Sequence, residues 1–83
     1  MAKRPLKHEM TFFVYVLGSR RNDDRRTYVG WTTDLERRLR QQRKWILLYF
    51  ERCKTRSEAM SREWYIKHDR SFRIMLRATI RIV

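Results

Sequence analysis

Tyrosine phenols, arginine guanidinium groups and a carboxylate flanked by apolar residues are groups that can act together on a phosphodiester, and this chain holds all three. Tyr15 and Tyr28 lie in two β-rich runs, and Arg37, Arg38, Arg40 and Arg43 crowd the segment that follows Thr33-Asp34. Glu63 falls at helical spacing with Ala59, Met60, Trp64 and Lys67, so a charged group lies between apolar neighbours near a core-facing stripe. Cleavage of a P–O bond needs a base for the attacking water, positive charge over the phosphoryl oxygens and stabilisation of the leaving oxygen. Taken singly, each residue also has a structural reading. Strand tyrosines pack with a satisfied hydroxyl, Arg38 is one surface arginine of many, Glu63 pairs with Lys67 four positions on, and Gly30 ends a strand where no Cβ fits. Other chemistries are poorly served, because Cys53 is the lone cysteine and His8 and His68 lie far apart. Neither a disulfide nor a zinc cluster is expected.

Charge points to the partner. Lys and Arg number 21 against 9 acids, a formal net charge of +12 on 83 residues, with a pI near 11.1. Self-repulsion of this size opposes folding, and a line of phosphates relieves it while releasing condensed counterions. Arginine greatly outnumbers lysine, which suits bidentate phosphate contacts. The expected partner is nucleic acid. The apolar share of 42% is too high for a disordered chain, yet no apolar run approaches the roughly 18 residues of a membrane helix. No apolar segment or small-residue cleavage site follows Lys3, Arg4 and Lys7, so the expected compartment is the cytoplasm and no membrane partner is expected.

The elements that must position these groups follow from residue pattern. Residues 1–10, basic around Pro5, read as a loose N-terminal arm, and residues 11–83 as one domain. Residues 11–17 (TFFVYVL) and 27–31 (TYVGW) predict two strands joined by the charged loop GSRRNDDRR. Thr33-Asp34 offers an N-cap, acids follow in the first turn and arginines load the far end, which predicts a helix over 34–42. The run WILLYFE at 45–51 predicts a central strand buried on both faces. Thr55 or Ser57 caps a helix through Lys67, and residues 72–80 add a last short helix with Phe72, Met75 and Leu76 inward and Arg73, Arg77 and Arg81 outward. The expected fold class is α/β, a small three-stranded, mainly antiparallel sheet flanked by helices. Trp31, Trp45 and Trp64 suit core or rim packing more readily than base stacking.

This order resembles the GIY-YIG nuclease family, and most closely its short, single-domain bacterial branch, over residues 12–67. Phe13-Val14-Tyr15 stands where the family has its first tripeptide and Tyr28-Val29-Gly30 where it has its second; only the tyrosines and the last glycine are kept literally. Arg38, in the helix after the second tripeptide, and Glu63 stand at the positions of the family's arginine and glutamate. The resemblance implies Tyr15, Tyr28, Arg38 and Glu63 as catalytic residues. One tyrosine acts as base, its phenol pKa lowered by nearby positive charge, while the other orients water or phosphate. Arg38 clamps the scissile phosphate and Glu63 holds one Mg²⁺ or Mn²⁺ that keeps most of its waters. Arg37, Arg40, Arg43, Lys44 and Lys67 are the expected nucleic-acid contacts, with DNA the expected substrate. A noncatalytic DNA- or RNA-binding module on the same fold, or a ribosome-associated basic protein, are the other classes that fit this composition.

Two departures stand out. Gln42 occupies a position where relatives usually carry histidine. The glycine-rich basic loop those relatives place before the third strand shrinks here to Gln42-Arg43-Lys44. So short a connection can close from helix to strand within one chain, though strain in it would invite domain swapping between two chains. Residues 68–83 supply only a short basic helix, so sequence-specific cutting is not expected.

Overall fold

The computed structural model describes residues 10–80, in the order β1 (Phe12–Ser19), β2 (Thr27–Thr32), α1 (Leu35–Gln41), β3 (Trp45–Cys53), α2 (Arg56–His68) and α3 (Arg70–Thr79). The arm expected over residues 1–10, apart from Met10, and the outward Arg81 lie outside the described residues. The strands form one antiparallel sheet in the order β2-β1-β3, so the fold is mixed α/β with three strands and three helices, as expected.

The central place belongs to β1 and not, as the sequence reading had it, to β3. Val14, Tyr15, Val16 and Leu17 are each 1% exposed or less, whereas β3 alternates and leaves Phe50 exposed. An unbroken apolar run can be covered on both faces, but β3 turns polar at Glu51 and Arg52, which fits an edge. One β-bulge shifts the β1–β3 register between Val16 and Leu17 and leaves Leu48 without a partner on β1. Leu48 fills the space beside Gly18, where a Cβ would come 2.8 Å from its Cδ1.

Alternation divides the sheet into two faces. Val14, Val16 and Val29 join Leu48, Cys53, Ala59 and Ile66 of α2 and Leu76 of α3 in the core. Phe13, Tyr15 and Leu17 point the other way, with Tyr28 and Gly30 on the neighbouring strand. The core-facing stripe of α2 is Ala59 and Ile66, whereas Met60 and Trp64, expected inward, are exposed. Lateral rotation of the stripe still leaves Glu63 half-buried between Ala59 and Ile66.

Caps set the helix limits. Asp34 accepts from the Arg37 N–H at 3.0 Å, and Thr55 from the Glu58 N–H at 3.1 Å. Asp69 closes α2 and opens α3, accepting from the Phe72 N–H at 3.0 Å, so α3 starts at Arg70, before the predicted Phe72. Within α3, Phe72 and Leu76 pack inward as expected, but Met75 is exposed and Arg77 is buried. Arg73 and Arg77 turn inward because backbone carbonyls await them. Arg73 donates to the carbonyls of Ile66 and Lys67 at the end of α2 and to Thr27 Oγ1; Arg77 Nη2 donates to the carbonyl of Arg21 at 2.8 Å. The connection from α1 to β3 closes within one chain as a tight turn, the Trp45 N–H donating to the Gln42 carbonyl at 3.0 Å. Among the described residues none has a positive φ, so the turn asks no left-handed backbone of Gln42, Arg43 or Lys44. Among the described residues, too, no helix is long and apolar enough to cross a membrane.

Candidate active site

Tyr15 is the buried centre of the site. It sits on β1 directly opposite Gly30 of β2, and a Cβ on Gly30 would stand 2.5 Å from Tyr15 Oη and 2.7 Å from Cζ. The glycine therefore lets the phenol lie across the neighbouring strand. The neighbour a Cβ would meet is Tyr15 itself. Tyr28, half-exposed on the same sheet face, stacks on Tyr15 with centroids 6.4 Å apart and an interplanar angle of 26°.

Burial pushes the Tyr15 phenol above its ordinary pKa; the Arg38 guanidinium opposes this, while Tyr28 and the Glu63 carboxylate add to it. Two strands and two helices thus bring Tyr28, Arg38 and Glu63 within electrostatic reach of the Tyr15 hydroxyl. The two tyrosines are not equivalent. Tyr15 is buried, its hydroxyl shielded from water across β2, whereas Tyr28 meets solvent.

The other predicted residues divide by partner. Arg37 and Arg38 line a polar pocket of about 280 Å³ with Thr32, Thr33 and Gln41. Arg37, Arg38, Arg43 and Lys44 have no ion pair among the described residues, but Arg40 pairs with Glu36 at 3.0 Å. Lys67 Nζ lies 3.1 Å from Glu63 Oε1, the ion pair of the structural reading of Glu63. Gln42 caps α1, its N–H donating to the Arg38 and Leu39 carbonyls.

Among the described residues no group of three or more His, Cys, Asp or Glu side chains is placed to hold a metal. Glu63 alone offers a hard oxygen donor in the cluster, and its side chain is 23% exposed. That donor suits an octahedral divalent ion which keeps most of its water and takes further oxygens from phosphate. Lys67 already supplies one cation there, so a bound ion shares or replaces that contact.

Of the other described acids, all but Glu58 are engaged locally through their side chains. Asp23, Asp24, Glu36 and Glu51 are ion-paired, and Asp34 and Asp69 cap helices. The outward field is therefore strongly positive. Sequence reasoning missed a concavity of about 570 Å³ in which Arg25 and Arg26 meet Arg70 and Arg73 beside Trp45. Arg25-Arg26 was visible as a charged pair, but nothing local in the sequence announces that α3 brings its arginines to the same place. Compared with protein families, with curated proteins and with solved structures, the chain matches none.

Proposed function

We propose that the chain is a divalent-metal-dependent nuclease of the GIY-YIG type that hydrolyses DNA phosphodiester bonds. The observation that carries the reading is the convergence of Tyr15, Tyr28, Arg38 and Glu63 on one buried phenol. In this reading Arg38, unpaired among the described residues and lining a polar pocket, clamps the scissile phosphate through its planar fork. Tyr28, which meets solvent, releases its own proton to water and as phenolate takes that of the attacking water, while the Tyr15 hydroxyl donates to the attacking water or to a phosphoryl oxygen. Glu63 would hold one Mg²⁺ or Mn²⁺, with Lys67 giving up its contact with the carboxylate. When bound, the ion supplies positive charge to the phosphoryl and leaving oxygens. After α2 the described residues add only the short basic helix α3, in keeping with a strand- or structure-guided enzyme.

A second reading, a noncatalytic nucleic-acid-binding module, draws on the Glu63–Lys67 ion pair, which satisfies the carboxylate without metal. The deciding experiment is cleavage of labelled single-stranded, duplex and branched DNA in Mg²⁺ or Mn²⁺ by the native protein, Glu63→Ala and Tyr28→Phe. Loss of cleavage by at least about a hundredfold in both variants, with melting temperatures unchanged, is expected. Salt-steep binding with no cleavage in either metal would replace the nuclease with the binding module.

A further inference from the structure

Trp45 occupies a place on the molecule that core packing does not explain. It opens β3 opposite Ser19, at the end of the sheet where the charged β1–β2 loop departs. Its half-buried ring lines three neighbouring concavities. The first, about 570 Å³, is walled by Arg25, Arg26, Arg70 and Arg73. The second, about 530 Å³, adds Arg20, Arg21, Arg43 and Lys44. A third, about 340 Å³, reaches Arg40 and the tight turn. The one carboxylate in these walls, Asp24, is held by Arg26 at 2.7 Å. The Arg26 guanidinium lies 6.0 Å from the Trp45 ring centroid. Trp45 also meets Tyr28 in a tilted contact with centroids 6.5 Å apart, and Tyr28 in turn stacks on Tyr15. Aromatic rings thus run from the buried phenol to the middle of the arginine-lined surface.

We infer that Trp45 is a stacking platform for an unpaired DNA base, with the backbone of that strand lying along the surrounding arginines. This rests on the nuclease reading for the choice of DNA and goes beyond it in assigning the form of substrate. Guanidinium groups from three segments give a surface that follows phosphates without reading sequence, and an indole among them has a π-face for any base. Paired bases have both faces covered by their neighbours, so the indole engages a nucleotide only where the strand is single or has splayed from a duplex. A base held on Trp45 places its own backbone beside Tyr28, next to the four-residue cluster. The favoured substrate is a single strand, or a branched or frayed duplex that exposes one.

The test is fluorescence anisotropy in EDTA, which separates binding from cleavage. It uses a labelled twelve-nucleotide thymidine strand, the same length of abasic strand, a duplex, and a uridine RNA strand. The native protein is expected to bind the thymidine strand more tightly than the abasic one. Trp45→Ala should lose about 5- to 150-fold on the thymidine strand and almost nothing on the abasic strand, at an unchanged salt slope. Trp45→Phe, which keeps a ring, should retain part of the difference, and Trp64→Ala, whose indole stacks on His68 away from these concavities, should match the native protein. Equal losses on both strands, or no loss in either Trp45 variant, would overturn the platform even if the protein cuts DNA. Tighter, Trp45-dependent binding of RNA than of DNA would overturn the DNA assignment. A base-dependent loss in a protein that cleaves nothing would uphold the platform and refute only the nuclease.

Discussion

Replacing Gly30 with alanine puts a methyl carbon 2.5 Å from Tyr15 Oη and 2.7 Å from Cζ, well inside van der Waals contact. Something must move, and the choices are poor. Tyr15 is 1% exposed, stacked by Tyr28 and fixed on the central strand, while Gly30 sits in the β1–β2 ladder directly opposite. Overpacking of this kind costs about 1–3 kcal/mol. For a domain of this size each kcal/mol lowers the melting temperature by about 4–8 °C, so a fall of roughly 5–20 °C is expected by circular dichroism. Gly18→Ala is the control: its methyl would come 2.8 Å from Leu48 Cδ1, the tip of a side chain that can rotate, and the smaller fall is expected there. Tyr15→Phe should be better tolerated in the alanine background than in the native one, because it removes the closer of the two contacts. A Gly30→Ala protein that melts within about 2 °C of the native one would refute the reasoning, since the phenol would then not be held across β2.

Two further outcomes follow from buried or paired charges. Arg77→Met removes the donor to the Arg21 carbonyl that ties α3 to the β1–β2 loop, and should cost about 1–3 kcal/mol and speed tryptic cleavage within residues 20–26; unchanged cleavage there would remove the clasp. Glu51 accepts from Arg62 Nε at 2.6 Å and from Tyr49 Oη at 2.7 Å, and the Arg62 guanidinium holds its carboxyl below the usual range. A carboxyl lowered in the folded state adds stability that is complete above its unfolded pKa and is lost as pH falls through the folded one. Urea melts from pH 7 downward should therefore show a decline below about pH 4.5 that is shallower in Glu51→Gln; identical slopes would contradict it.

Local rules served the sequence reading well where one residue decides an outcome. Asp34 and Thr55 start helices through their own side chains, and the strand of Tyr28 begins at Thr27 as expected. Strand order was not legible, because residues 45–51 and 11–17 are both apolar and only the polar turn at Glu51 and Arg52 separates an edge from a centre. Arginine misled most. A charged side chain on a helix reads as outward, yet Arg73 and Arg77 reach carbonyls on α2 and on a loop more than fifty residues away in sequence. The four candidate residues were legible only through their company and order, since burial of Tyr15, exposure of Tyr28 and pairing of Glu63 are all products of tertiary packing. The same is true of the arginines around Trp45.

The position of each ring in the sheet has a consequence for how the protein meets a ligand. Local opening is resisted most where a strand is hydrogen-bonded on both sides and covered on both faces, and least along an unpaired edge. Tyr15 belongs to the first class, whereas Tyr28 and Trp45 stand on the two outer strands. Amide protection should therefore rise from the rim of the sheet to its middle. The buried phenol is the fixed reference of the sheet, and Tyr28 and Trp45 on its outer strands carry its compliance.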